Sequence, residues 1–168
     1  MNDQNELKVS ANSLKIDSKV TCGPMPSFTK VGLDPMDEAA CEIANTIASD
    51  LIFHSFDYET SRTITSFGIQ CGTTSRKTTR MNTADAILTI AETTDNVATA
   101  YIAQGPLYSN SANFACHLLN ALSDFDTAIV PVAIDDSRIV DSNRIGVYLE
   151  LGHPEVKHAE ELAGVIHG

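Results

Sequence analysis

Ala84-Asp85-Ala86-Ile87-Leu88-Thr89-Ile90 and Val97-Ala98-Thr99-Ala100-Tyr101-Ile102, with Thr93-Thr94-Asp95-Asn96 between them, decide how the fold is read. Both apolar runs have strand length, and the polar quartet between them has turn chemistry, so they predict two strands around a turn. The second run also fits a helix capped by Asp95 or Asn96. If it is a strand, short connections of this kind favour an antiparallel or mixed sheet over a doubly wound parallel one.

Upstream, Thr63 to Cys71 alternates with period two, placing Thr65, Phe67, Ile69 and Cys71 on one side, and predicts a half-buried strand. Before it, Asp34-Pro35 opens a predicted helix over 35–51. There Asp34 serves as cap, and Ile43, Ile47 and Leu51 recur beside the small residues Ala40, Ala44 and Ala48. Gly23, Pro24, Pro26, Gly32 and Pro35 mark 21–35 as a loop, and residues 7–20 read as two short strands in a hairpin.

Downstream, Ser109 or Ser111 is expected to cap a helix with Phe114, Ala115, Leu118, Leu119 and Leu122 inward. Thr127 to Ile134 is strand-like, and Pro131 confines it to an edge or a bulge. Ile145, Val147, Leu149 and Leu151 alternate as a further strand. Pro154 and Glu155 start a last helix, with Val156, Ala159, Leu162, Ala163 and Ile166 inward. The expected fold class is α+β: an antiparallel or mixed β-sheet with about three helices packed mainly on one face, in a single domain over 1–168.

The chain has 168 residues, enough to bury a core without external support. Its net charge of −11 opposes general binding to nucleic acid or anionic membrane. No apolar run reaches the length of a membrane span, and the first residues are polar where a secretory signal is basic and then apolar, so a cytoplasmic protein is expected. Cys22, Cys41, Cys71 and Cys116 form no Cys-x-x-Cys pair and are expected to be free buried thiols.

Three segments carry chemistry worth weighing. Gly72, Thr73, Thr74, Ser75, Arg76, Lys77 and Arg80 combine a glycine, hydroxyls and three cations in a short loop, a composition suited to a phosphorylated or nucleotide-like anion. The loop lacks the second glycine of a Walker motif, and a solvated inter-strand loop explains it more simply. Asp135, Asp136, Asp141 and their neighbours offer oxygen ligands without the spacing of a calcium loop, so a turn braced by Asp and Ser side chains is expected. Among the histidines, His153 and His158 are badly spaced for one helix face, and the adjacent Cys116 and His117 point different ways. No metal site and no cofactor are expected.

Because no nucleophile, base or metal array is visible, the leading expectation is a non-catalytic interaction or assembly protein. It would form a homo-oligomer, or bind another protein, through Ala40, Ala44 and Ala48 and through exposed strand edges. The alternatives are a small enzyme or sensor that takes an anionic ligand at 72–80, and an acidic inhibitor or nucleic-acid mimic. Whether the chain is an enzyme is left open by its sequence.

Overall fold

A computed structural model describes residues 21–61, 63–65, 68–70 and 81–168. In chain order the elements are β1 (Lys30–Pro35), α1 (Glu38–Phe53), β2 (Asp57–Thr60), β3 (Thr63–Thr65), β4 (Gly68–Gln70), β5 (Ala86–Thr93) and β6 (Val97–Ala103). They are followed by α2 (Tyr108–Ala121), β7 (Asp126–Val132), β8 (Ile145–Gly152) and α3 (Val156–His167). Six strands make one mixed sheet in the order β2-β1-β5-β8-β6-β7, and β3 and β4 pair antiparallel apart from it. The expected α+β class and mixed sheet are therefore what the chain adopts.

The two strands that decided the reading are both present, but they are not partners. β8 lies between them, parallel to β5 (Ile90 opposite Leu149) and antiparallel to β6 (Ala100 opposite Leu149). Two strand spacings separate β5 from β6, about 10 Å, and residues 94–96 carry the chain across the end of β8. Gly152, the last residue of β8, makes this crossing sterically feasible. A Cβ built there would stand 1.7 Å from the Asp95 carbonyl oxygen, so only glycine fits beneath the loop.

Helix positions follow from the same alternation. Val31 and Leu33 on β1, Leu88 and Ile90 on β5, Ala100 and Ile102 on β6, and Val147 and Leu149 on β8 all face one continuous core shared with the three helices. α1 contributes Ala40, Ile43, Ala44, Ile47, Ala48 and Leu51, and α3 contributes Ala159, Leu162, Ala163 and Ile166. α3 lies between α1 and α2 and packs against both. The alanines let these helices approach closely.

Several boundaries differ from the sequence reading. Lys30–Pro35 is a strand rather than loop, because Gly32 and Pro35 are compatible with it: Pro35 is its last residue, and Gly32 sits tightly against Ala84 and Met81. Asp34 is thus buried in the sheet, and the helix starts later, at Glu38, where Asp37 Oδ1 accepts from the Ala40 amide at 2.8 Å. The other carboxylate oxygen of Asp37 accepts from the Glu92 amide at 2.8 Å, so one side chain both caps α1 and ties it to β5. The expected strand from Thr63 is broken into the β3 and β4 hairpin. α2 begins after Leu107 with no side-chain cap; Ser111 instead accepts a bond from the Gly146 amide at 3.0 Å. Val156 is exposed, since it occupies the first turn of α3. β7 is an edge strand carrying Pro131, as expected. The hairpin expected over 7–20 lies outside the described residues.

Cys22, Cys41 and Cys116 are not free thiols. Cys22 is bonded to Cys116 across 94 residues of sequence, and Cys41 is also disulfide-bonded. The Cys22 bridge clamps the segment before β1 onto α2, where His117 Nε2 donates to the Gly23 carbonyl at 2.8 Å and Phe28 packs edge-on against Phe114. Spacing alone gave no sign of this pairing.

Replacing Gly152 by alanine should lower unfolding stability by about 3 kcal/mol in urea or thermal denaturation, because the crossing loop must be displaced. A change within error of zero would contradict the close crossing.

Candidate functional site

The most distinctive surface lies where α1 ends. Its last turn closes with the Ser55 amide bonded to the Ile52 carbonyl at 3.0 Å and the Phe56 amide bonded to the Leu51 carbonyl at 2.9 Å. This is the Schellman arrangement, which requires a left-handed residue after the cap. Ser55 fills that place at φ 57°, where glycine is usual. The sharp stop turns Phe56 inward beside Phe28 and leaves Ile52 and Phe53 outside, with Phe53 82% exposed.

Beside Phe53 stand three side chains with metal-ligand or acid–base chemistry. His54, the cap residue, donates from Nδ1 to the Asp50 carbonyl at 3.0 Å, which makes Nε2 its lone-pair nitrogen. His167, in the last turn of α3, places Nε2 3.3 Å from Asp50 Oδ2. The two imidazoles stack with centroids 3.7 Å apart and planes 12° from parallel. Helix packing thus gathers residues as far as 117 positions apart in sequence, which no local spacing could reveal.

The residues singled out from the sequence fall elsewhere. Gly72, Thr73, Thr74, Ser75, Arg76, Lys77 and Arg80 lie outside the described residues. Ala40, Ala44 and Ala48 are buried, at 0%, 0% and 3% exposure, against the chain's own core. The face expected to meet a second copy is therefore used within the chain, where it seats α1 on the sheet and against α3. In the segment 135–144 the carboxylates brace turns, as expected: Asp136 Oδ1 accepts from the Arg138 amide at 2.9 Å and Asp141 Oδ1 from the Asn143 amide at 2.9 Å. Asp85 caps the start of β1 by accepting from the Thr29 amide and hydroxyl and the Lys30 amide, and these bonds, the Thr29 amide foremost, hold its carboxyl below the usual range.

The same segment covers the face of the sheet turned away from the helices. Arg138 lies 4.1 Å over the Tyr101 ring while its guanidinium grips Asp136 with two bonds, at 2.9 and 3.0 Å. Those bonds hold the Asp136 carboxyl down to about 2. Tyr101 is pushed the other way, first by burial and then by the Glu150 carboxylate. Arg144 ties the layer down through the Met81 and Asn82 carbonyls. The cavity left beneath, bordered by Thr89, Ser111, Arg138 and Tyr148, measures about 20 Å³, room for one water. Nearby, buried Asp34 accepts from the Thr89 hydroxyl at 2.8 Å.

The chain matches no protein-family model and no curated protein.

Two measurements check these local readings. Ser55→Gly should raise stability by about 0.5–1 kcal/mol, because glycine takes the left-handed position without a Cβ clash. Asp136, depressed in the folded state, stabilises the fold fully above its unfolded pKa of about 4, and that contribution is lost as pH falls toward about 2. An NMR titration of Arg138→Ala should accordingly show the Asp136 carboxyl raised toward, but not fully to, the usual carboxylate range, because the main-chain amide at position 138 keeps its bond to Oδ1; an unchanged titration would contradict the assigned cause.

Proposed function

We propose that the protein is a non-catalytic interaction protein that self-associates through the C-terminal end of α1. The observation that carries this reading is the adjacent pair Ile52 and Phe53, 62% and 82% exposed on a helix end that a Schellman turn holds rigid. A phenylalanine offers about 150–250 Å² of apolar surface, and a two-fold arrangement of copies would set each Phe53 against its mate. A stable contact needs about 800 Å² from each partner, so the pair would form its centre and flanking residues its rim.

The edges of the sheet favour this location over strand pairing. β2, at one end, carries the acids Asp57 and Glu59, and β7, at the other, carries Pro131, which has no N–H to donate. Both features discourage edge-to-edge association. The copies also repel through a net charge of −11 each, so added salt should strengthen association rather than weaken it.

The surroundings in which this happens are part of the proposal. Among the described residues no helix is long and apolar enough to cross a membrane. Disulfide bonding at Cys22, Cys41 and Cys116 favours an oxidising compartment over the cytoplasm first expected, because thiols in the cytosol are kept reduced.

Sedimentation equilibrium at micromolar protein should give a mass of at least twice 18.1 kDa, and Ile52→Ser with Phe53→Ser should return it to a single chain without altering the circular dichroism spectrum. A wild-type mass of one chain at both low and high salt would rule the reading out.

A further inference from the structure

We propose that Asp50, His54 and His167 bind one divalent transition-metal ion, with zinc the best fit, at the point where α1 and α3 end. This goes beyond the association reading, since all three ligands come from one chain. One donor atom from each residue lies within 4.8 Å of the others. Two imidazoles and a carboxylate are a donor set that suits zinc, copper and nickel and disfavours calcium or magnesium.

The geometry is close to what such an ion needs. With metal–ligand bonds of about 2.0–2.1 Å, two ligands of a tetrahedral ion stand about 3.3 Å apart. Asp50 Oδ2 and His167 Nε2 are already at 3.3 Å. Nδ1 of His54 is 3.9 Å from Asp50 Oδ1, and its side chain is 41% exposed, so the ring is free to turn about χ2 and present a nitrogen to the same point. That turn also breaks the parallel stack, which sends the two in-plane lone pairs side by side instead of toward a common centre. The same turn exchanges the Nδ1 bond to the Asp50 carbonyl for a bond to the ion.

Electrostatics points the same way. Two helix C-termini converge here, each the negative end of its helix dipole. The last turn of α1 holds no basic residue, and that of α3 holds only His167 itself. A cation at this point would complete both dipoles and join the helices. The remaining one or two coordination positions would be open to water or to an outside ligand, because three protein ligands leave a tetrahedral ion incomplete. On binding, the ion takes the place of the hydrogen between His167 Nε2 and Asp50 Oδ2, and that hydrogen passes to Nδ1 of the same ring; because a ligating imidazole must be neutral, affinity falls as pH is lowered.

The test uses the full chain, without a polyhistidine tag, titrated with Co²⁺ and Zn²⁺. Co²⁺ should produce visible d–d bands of a four-coordinate ion at one equivalent, and Zn²⁺ should abolish them. His54→Ala, which removes a surface ring and should leave the fold intact, is expected to weaken binding by more than about tenfold. His153→Ala is expected to leave it unchanged, as His153 is far more exposed and lies beside Glu92 instead. Equal binding by wild type and His54→Ala, or no saturable Co²⁺ spectrum at all, would overturn the proposal. Running the titration on the Ile52→Ser, Phe53→Ser protein separates the two readings: binding should persist there, and its presence in a monomer would leave this site standing even if self-association fails.

Discussion

Everything in the fold turns on the placement of β8 between β5 and β6. Those strands are consecutive and joined by a short turn, and left to themselves they would pair. The last strand in chain order separates them, and its backbone passes directly under the Asp95 carbonyl. Because β8 pairs with β5 along its whole length and with β6 over Tyr148 to Leu151, it joins β2, β1 and β5 to β6 and β7 in one continuous layer. The apolar side chains of all these strands then share one face, and the three helices have a single surface to cover.

Helix positions, and with them the candidate site, follow from that surface. α1 runs out from β1, α3 runs out from β8, and small residues on α1 let the two lie close together. Their C-termini consequently arrive at the same corner. Asp50, His54 and His167 meet because two helices stop at the same corner, and Phe53 is exposed at the last position of α1, where the Schellman turn ends the helix. The corner combines apolar surface, ring nitrogens and two helix C-termini, whereas on the opposite face of the sheet Arg138 lies over Tyr101 beside the braced turns around Asp136 and Asp141.

Much of the secondary structure was legible in the sequence, and the failures have physical causes. Apolar runs of strand length pointed to β5 and, with a helix as the alternative, to β6, alternation identified β8, and Pro131 confined β7 to an edge or a bulge, since all these signals are local. The start of α1 was misplaced because Asp34-Pro35 and Asp37-Glu38 offer equivalent capping chemistry, and only the burial of Asp34 in the sheet decides between them. Val31 and Leu33 alternate as a strand should, but the prolines and glycines around them masked it. Pairing order, the Cys22–Cys116 bridge and the His54–His167 contact are long-range facts that no local pattern encodes. Ala40, Ala44 and Ala48 were correctly seen as a close-packing face, yet a sequence cannot say whether such a face meets its own chain or another.

The insertion of β8 is best tested by nuclear Overhauser contacts in isotopically labelled protein. Backbone protons around Leu149 should show cross-strand contacts both to Ile90 and to Ala100, while Ile90 and Ala100 show none to each other. Direct backbone contacts between β5 and β6, with Leu149 touching only one of them, would contradict the topology from which the rest is derived.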